Sequence, residues 1–493
     1  MFLGCYVLYY FLCFFIIELL LSGKAASSIG GCTLHSGNGG LSLRIAKKDD
    51  VGNYHRLGSA TLKRLQEHFD GLKLVIIDEF SMISQYHMYH IDMRLREICA
   101  CDKPFGGMTV VLFGDPGQIP PVGASPLWND KFKAGDRGEN DLRGLKCYSA
   151  FQCVTNLVEN KRVDPSVESS VFFNEFLDRL RLGENTIDDW ERLHNVCSKQ
   201  KIGNTQWEEE GYSSTDATYL YTTNRVSLCL NLLIVETYIS CNYCFLFIQE
   251  VKAHNELCLT KLGCKIALIR ASHEGNGSKF SSDSFRGLES SMYVGVGAKI
   301  LLTSNLNTTV GLNNGSVGTV KDIVFAAGVK PPNLPLYVWV DFGESYSGES
   351  FFDDSVDRKG WFPLFPSTFE LHLPKSNNSS NDDFDKHSRT MLPFRLAWAW
   401  TIWKAQGLTV KDKLVLNVGD KEKEHGISYV AFSRSTCLEN IGLRKCISFE
   451  RLSSSVRNHK KMQPRLDEES RLLVLANETK DLFANLTNQF PMI

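Results

Sequence analysis

Neither charge is in excess in this sequence: 54 Lys and Arg stand against 56 Asp and Glu over 493 residues, a formal net charge of -2. No global attraction to a polyanion follows, although a local groove of backbone groups and stacking rings would still hold a single strand. Paired metal-binding cysteines are missing as well. Fifteen cysteines are scattered along the chain, and the one C-x-x-C (Cys241, Cys244) has no second pair at zinc-site spacing. Disulfide scaffolds belong to much shorter secreted chains, so we read free thiols in a reducing compartment, with a metal site as the alternative. The apolar start, MFLGCYVLYYFLCFFIIELLL, has no Lys or Arg ahead of Glu18 to act as a signal-peptide n-region. Its length matches the ~20 apolar residues that span a bilayer, but Glu18 interrupts it. Also absent is the phosphate-cradling run G-x-x-x-x-G-K-[ST]; Gly23-Lys24 is followed by Ala25, where that run requires a hydroxyl. No internal repeat is evident.

The content of 43% hydrophobic and 22% charged residues is that of an ordinary globular protein, long enough for roughly two to four domains. Short β-branched runs recur, each ending in Gly, Asp, Asn or Pro: LVIID from Leu74, TVVLFGD from Thr109, AKILLTSN from Ala298. Apolar on both faces, they suit strands covered by helices on either side of a sheet. Between them lie amphipathic stretches such as Phe172 to Leu182, with Phe173, Phe176, Leu177 and Leu180 on one face. The class is α/β, with functional residues expected at the carboxyl ends of strands. From about Val317 to Pro393 the texture changes to alternating strands (VGTVKDIV, LYVWVDF, TFELHL) between Gly, Pro and Ser clusters, a small β-barrel insert. Within it, KSNNSSNDDFDK from Lys375 is too polar to pack.

The strongest local signal is LVIIDEFSMIS, Leu74 to Ser84, in which a buried strand delivers Asp78 and Glu79 together. In nucleotide hydrolases the first carboxylate holds Mg²⁺ and the second orients or deprotonates the attacking water. The plain alternative is a strand ending in two solvated acids. TVVLFGDPGQIPPVG, Thr109 to Gly123, then adds a second strand, Gly114-Asp115, Gln118 and a diproline that stiffens the loop. A Gln beside a terminal phosphate senses whether that phosphate is present. The two runs in this order point to nucleotide hydrolysis.

The set resembles the PIF-type DNA helicases, superfamily-one motors that move 5′ to 3′ on DNA, with related sequences inside Helitron transposons. SGKAASSIGGCTLHS (Ser22 to Ser36) is similar to the family's motif Ia, a strand-contacting loop, and LVENKRVDP (Leu157 to Pro165) to motif IV, which places Arg162 toward the γ-phosphate. YLYTTNR (Tyr219 to Arg225) resembles the strand that opens the second motor domain, and GAKILLTSNLNTTVGLNNGSVGTV the segment leading into the insert. LAWAWTIWKAQGLT (Leu396 to Thr409) resembles motif V, with Lys404, Gln406 and Gly407 at its core; Trp403 stands where many members have His. GISYVAFSR (Gly426 to Arg434) resembles motif VI, ending in a second arginine finger.

The resemblance implies two RecA-like P-loop NTPase domains with an SH3-like insert. It implies ATP and Mg²⁺ as cofactors, and single-stranded DNA and its duplex junction as partner. The catalytic set it implies is Asp78, Glu79, Gln118, Arg162 and Arg434, with Asp78 on the metal. Asp78, Gln118, Arg162, Gln406, Gly407 and Arg434 would hold nucleotide, and Thr33, His35, Asn305, Thr401 and Lys404 would contact DNA. His35 also has the plain reading of a satisfied structural residue. The domains expected are an apolar leader over 1–21, a first motor domain over 22–200, a second over 205–316 and 393–450, the insert over 317–392 and a tail over 451–493. Expected processes are repair, recombination, telomere maintenance or transposition, in the nucleus or the mitochondrion.

Two stretches fit this frame badly. The phosphate loop should precede Gly23, where the chain has only the apolar leader. Deleting Val226 to Gln249 would join Arg225 to Glu250 and give TTNREVKAHNELCLTKL, a strand end followed by a helix. Val has codons beginning GT and Gln has CAG, the two ends of a spliceosomal intron. Both stretches are therefore read as translated non-coding sequence, against a membrane anchor or a decayed transposon-derived copy. No membrane role is favoured. The rival to the helicase reading is a non-catalytic single-strand binder.

Overall fold

The computed structural model describes residues 16–20, 32–34, 40–43, 54–121, 123–130, 136–158, 168–213, 215, 217–222, 250–307, 310–352, 356–374, 384–410 and 413–489. The expectations placed on His35, Arg162 and residues 226–249 fall outside them. Strands β1 (Ile16–Leu20), β2 (Cys32–Thr33), β3 (Leu74–Ile77) and β4 (Thr109–Leu112) form a parallel sheet in the order β2-β1-β3-β4. The leader boundary expected after residue 21 differs from this sheet, because Ile16 to Leu19, inside the apolar run, pair with Leu74 to Ile77. A continuous apolar run suits the interior of a parallel sheet as well as it suits a bilayer, and periodicity does not separate the two.

Helices α1 (Ser59–Phe69), α2 (Gln85–Cys99) and α3 (Asp136–Ser149) complete this first unit. Ser84 caps α2 by accepting from the His87 amide, and Ala100 ends it in the left-handed region. Val75, Ile77, Ile83, Met88, Ile91 and Leu95 are fully buried together.

The next two helices, α4 (Glu168–Leu182) and α5 (Ile187–Cys197), depart from the boundary expected at residue 200. Phe173, Phe176 and Leu180 of α4 and Leu193 of α5 lie in one core with Leu414, Leu416 and Phe432, which belong to the second unit. Amphipathic spacing shows that a helix has an apolar face and is silent on which sheet that face covers.

The second unit opens with β5 (Thr218–Tyr221) and α6 (Glu250–Lys261). Ten strands of the insert follow: β6 (Ile266–Arg270), β7 (Ser272–Glu274), β8 (Ser291–Gly295), β9 (Lys299–Leu302), β10 (Val317–Val324), β11 (Tyr337–Asp341), β12 (Trp361–Leu364), β13 (Ser367–Pro374), β14 (Phe384–Met391) and β15 (Phe394–Leu396). They make antiparallel sheets ordered β12-β11-β10-β9-β15, β13-β14-β7 and β6-β8 around one core that includes Ile300, Val320, Val338, Val340 and Phe394. The expected strands VGTVKDIV, LYVWVDF and TFELHL match β10, β11 and β13. The assembly is wider than the expected 317–392, since β6 to β9 and β15 join it. Strand β9 reads apolar on both faces, as a parallel strand would, yet pairs antiparallel with β10.

The chain then returns through β16 (Ala399–Thr401), β17 (Leu414–Asn417), α7 (Ile427–Phe432) and β18 (Ile441–Leu443) to a parallel sheet ordered β16-β5-β17-β18. The expected tail contains a long helix, α8 (Met462–Gln489), tied to the first unit by Tyr148 Oη donating to Glu468 at 2.6 Å and the Val154 amide donating to Thr479 at 2.9 Å. Among the described residues no helix is long and apolar enough to cross a membrane.

Phe176 tests the placement of α4. Its ring packs against Phe172, Phe173 and Phe432 and is fully buried. Phe176→Ala should destabilise the chain by about 3–5 kcal/mol, read as a lower urea midpoint. A loss below about 1 kcal/mol would place α4 outside the second core.

Candidate active site

Register builds the site. Ile77 lies opposite Leu112, the Phe113 amide donates to Ile77 O at 2.8 Å and the Phe80 amide to Phe113 O at 2.9 Å. The residues after β3 and β4 therefore leave the sheet side by side, at its carboxyl end. Glu79 takes a left-handed conformation with φ 55, which costs a side-chain-bearing residue of order 1–2 kcal/mol. Its amide donates to Asp78 Oδ1 at 2.7 Å.

Gln406 and Arg434 come from the second unit. Gln406, 4% exposed, follows a 3-10 turn over Ile402–Ala405 and donates to Ser81 Oγ at 3.3 Å. Gly407 turns the chain there with φ 76. The guanidinium of Arg434, 3% exposed, donates to Val430 O and Leu408 O, both at 2.9 Å, and to Ser433 Oγ at 2.8 Å. The two units meet closely at glycines. A Cβ on Gly426, which precedes α7 with φ 78, would lie 2.5 Å from Gly117 O and 3.0 Å from Gln118. A Cβ on Gly117 would collide with the Arg181 guanidinium.

The electrostatics follow from burial. It raises the Glu79 carboxyl above its ordinary value, and the neighbouring Asp78 raises it further, while Arg434 and Gln406 oppose the rise. Asp78 is likewise raised by burial, against the Glu79 amide bond. Burial would also raise Asp115, but Arg181 outweighs it and, with the Gly117 amide and Arg465, holds Asp115 below the usual carboxylate range. Arg181 reaches Asp115 at 2.5 Å and Glu469 of α8 at 2.6 Å, and Arg465 reaches Glu469 at 2.6 Å. Beside them burial, with Arg465, pushes His425 down to about 3.

The structure thus brings Asp78 and Glu79 of the first unit beside Gln406 and Arg434 of the second, with Gln118 against Gly426 at the contact of the two units and Gly407 next in sequence to Gln406. Arg162 lies outside the described residues. Of the residues expected on DNA, Lys404 lies on the turn that leads into Gln406. Thr33 ends β2 opposite Leu20, and Thr401 ends β16 with 6% exposure. Asn305 is exposed with Oδ1 accepting from the Asn314 amide, and Lys404 is exposed on its 3-10 turn. Sequence reasoning missed Ser81, Arg181 and Glu469. Arg181 is visible there only as one cation on the polar side of an amphipathic helix, and its partner is 66 positions away.

A family model described as PIF1-like helicase matches residues 16–190. The chain is 25% identical over 449 residues to the ATP-dependent DNA helicase Pif1 of Psychrobacter, covering 86% of this chain and 60% of that protein. It is 25% identical to the PIF1 helicase of Danio rerio, covering 85% of this chain and 53% of that one. Among solved structures, Bacteroides Pif1 bound to single-stranded DNA superposes with a TM-score of 0.57 at 22% identity, over 89% of this chain and 84% of that one. Pif1 from Candida albicans gives 0.59 at 19%, over 94% and 91%. The chain has the fold of these solved structures, two RecA-like α/β units with a β insert as expected, and spans about half the length of the curated relatives it matches.

Asp115→Asn should destabilise by roughly 1–3 kcal/mol at neutral pH, because Arg181 loses one of its two carboxylate partners. The folded-state pKa of Asp115 is lowered, so the stabilisation is full above about pH 4 and fades as pH falls through the lowered value. Thermal melts of both proteins should therefore converge on acidification; a gap that stays constant would dissociate Asp115 from the effect.

Proposed function

We propose that the chain is the motor of an ATP-dependent DNA helicase that unwinds 5′ to 3′. The observation that carries this reading is the convergence on one buried cleft of Asp78 and Glu79 from the first unit with Gln406 and Arg434 from the second. Hydrolysis in such a cleft is felt by both units and so can open and close it. Asp78 would hold Mg²⁺. A carboxyl strained by burial gains from a divalent cation, and the buried Glu79 Oε2, without a hydrogen-bond partner among the described residues, leaves an acceptor for the attacking water. Held by Asp78, Mg²⁺ would supply positive charge against the charge that develops on the phosphate.

In this reading Glu79 takes the proton of the water, Gln118 senses the γ-phosphate, and Arg162 and Arg434 neutralise it, with Gln406 and Gly407 lining the nucleotide. Thr33, His35, Asn305, Thr401 and Lys404 track the DNA strand; the exposure of Asn305 and Lys404 supports this, and the burial of Thr401 limits it to backbone contact. The similarity to Pif1 helicases supports the substrate class, and nuclear repair, recombination or telomere maintenance is the setting we propose.

The test follows from what the 493 residues lack. Among the described residues β4 has no strand on its outer edge, and Val111 and Phe113 are 36% and 44% exposed there. A strand carrying G-x-x-x-x-G-K-[ST] that paired with this edge would bring its loop to Asp78 and Gln118. Protein made from these 493 residues should show little DNA-stimulated ATPase. A version with such a strand–loop–helix segment ahead of Ile16, and without Val226 to Gln249, should hydrolyse ATP on DNA and unwind a 5′-tailed duplex. Glu79→Gln should lower that turnover by roughly 10²–10⁴-fold. An inactive repaired protein, or turnover indifferent to Glu79→Gln, would overturn the assignment.

A further inference from the structure

Strand β11 alternates strictly. Val338 and Val340 point into the insert's core and are fully buried, while Tyr337 and Trp339 are half-buried on the opposite face. That outer face carries a continuous strip of rings. Phe365 lies 5.6 Å from Tyr337, Tyr337 lies 5.7 Å from Trp339, and Trp339 lies 5.9 Å from Phe351 and 4.9 Å from Phe352. Trp361 of the neighbouring β12 closes the group 5.8 Å from Phe352. The two ends of the strip stand well clear of the protein, Phe365 at 58% and Phe351 at 53% exposure. Contiguous aromatic surface of this kind on an otherwise packed β insert marks an interaction site rather than a core.

Its charge restricts the occupant. From Asp341 to Asp357 every charged residue is acidic. Glu344, Glu349 and Asp357 are exposed beside the rings' own chain segment; of the two cations that lie over the rings, Lys321 is paired with Asp341 at 3.3 Å and Arg358 is held against Phe352 and Trp361. A polyanion would meet that field unfavourably. The ring faces themselves already attract cations: the Arg358 guanidinium lies 4.9 Å from the Phe352 ring and 5.3 Å from the Trp361 ring, and the Lys321 ammonium 5.8 Å from Trp361. The strip is linear, set by the two-residue repeat of one strand, so it matches an extended segment rather than a globular knob.

We infer that the outer face of β11 and β12 docks an extended, proline-rich, basic segment of a protein partner. Prolines would lie on the Phe365–Tyr337–Trp339 rings, pre-extended and so losing little entropy on binding, and arginines or lysines would meet the acidic flank. The site is remote in chemistry from the hydrolysis cleft and does not depend on that reading.

The probe is a fluorescein-labelled peptide of Arg-Pro-Pro repeats, about twelve residues long to cross the strip at ~3.1 Å per residue, followed by polarisation against the full chain. A Glu-Pro-Pro peptide of equal length and a labelled oligo-dT serve as the other two arms. Saturable binding of the Arg-Pro-Pro peptide is expected, weakened roughly tenfold in Phe365→Ser and in Phe351→Ser. Both rings are exposed, so the folded core is untouched, and unchanged melting temperatures would verify this. No saturable binding, equal binding of the Glu-Pro-Pro peptide, or binding indifferent to both substitutions would overturn the proposal. So would oligo-dT binding that the same substitutions abolish, which would reassign the strip to nucleic acid.

Discussion

Arg181 lies between two carboxylates, Asp115 at 2.5 Å and Glu469 at 2.6 Å, and the geometry of the cleft depends on that contact. Burial alone would weaken the guanidinium's charge, but the two acids hold its pKa above the ordinary arginine value. Three elements meet there: the loop after β4, helix α4 of the second core, and helix α8, which also reaches back to Tyr148 and Val154 of the first unit. Gly117 and Gln118 follow Asp115 by two and three positions and are pressed against Arg181 on one side and Gly426 on the other. Without the cation two half-buried acids would repel across the same space, and the loop that presents Gln118 would lose its anchor.

Glu79 sits at the opposite limit. Where Asp115 has a cation that outweighs burial, Glu79 has burial and Asp78 pushing its carboxyl up and only Arg434 and Gln406 pushing back. For a raised carboxyl the stability linkage has the reverse sign: the contribution is present below the unfolded pKa and is lost as pH rises through the folded one. At neutral pH the pair Asp78 and Glu79 therefore burdens the fold, as does the left-handed backbone at Glu79. Two nearby groups held out of their comfortable states, at the carboxyl end of a strand, are the mark of a site shaped for chemistry rather than for stability. A divalent cation and a phosphate chain would relieve the first burden and use the second.

The strand-end acids, the Gln118 loop and the order of the later motifs were legible because each is written in consecutive residues: LVIIDE, GDPGQIPP, KAQG, YVAFSR. What was not legible is what depends on the third dimension. Helix α4 shows its apolar face in sequence, yet nothing in Phe172 to Leu182 says that the face covers β17 and α7 rather than the first sheet. Ile16 to Leu20 looked like the end of a membrane-length run because parallel strands and bilayer segments both favour continuous apolar sequence, and only pairing with β3 separates them. The ion pairs of Arg181 join residues 66 and 288 positions apart, and no local pattern encodes them.

Arg434 is oriented by its own unit. Its bonds to Val430 O, Leu408 O and Ser433 Oγ lie within the second unit, and these three acceptors are neutral. They orient the guanidinium, whose charge is felt at Glu79 across the cleft. A lysine could not replace it, because fixed carbonyls on two sides need the planar fork of donors. Held this way by its own unit, the cation moves toward or away from the first unit only when the two sheets move together or apart. The charge that would stabilise a departing phosphate is thus the same element that reports how far the cleft has closed.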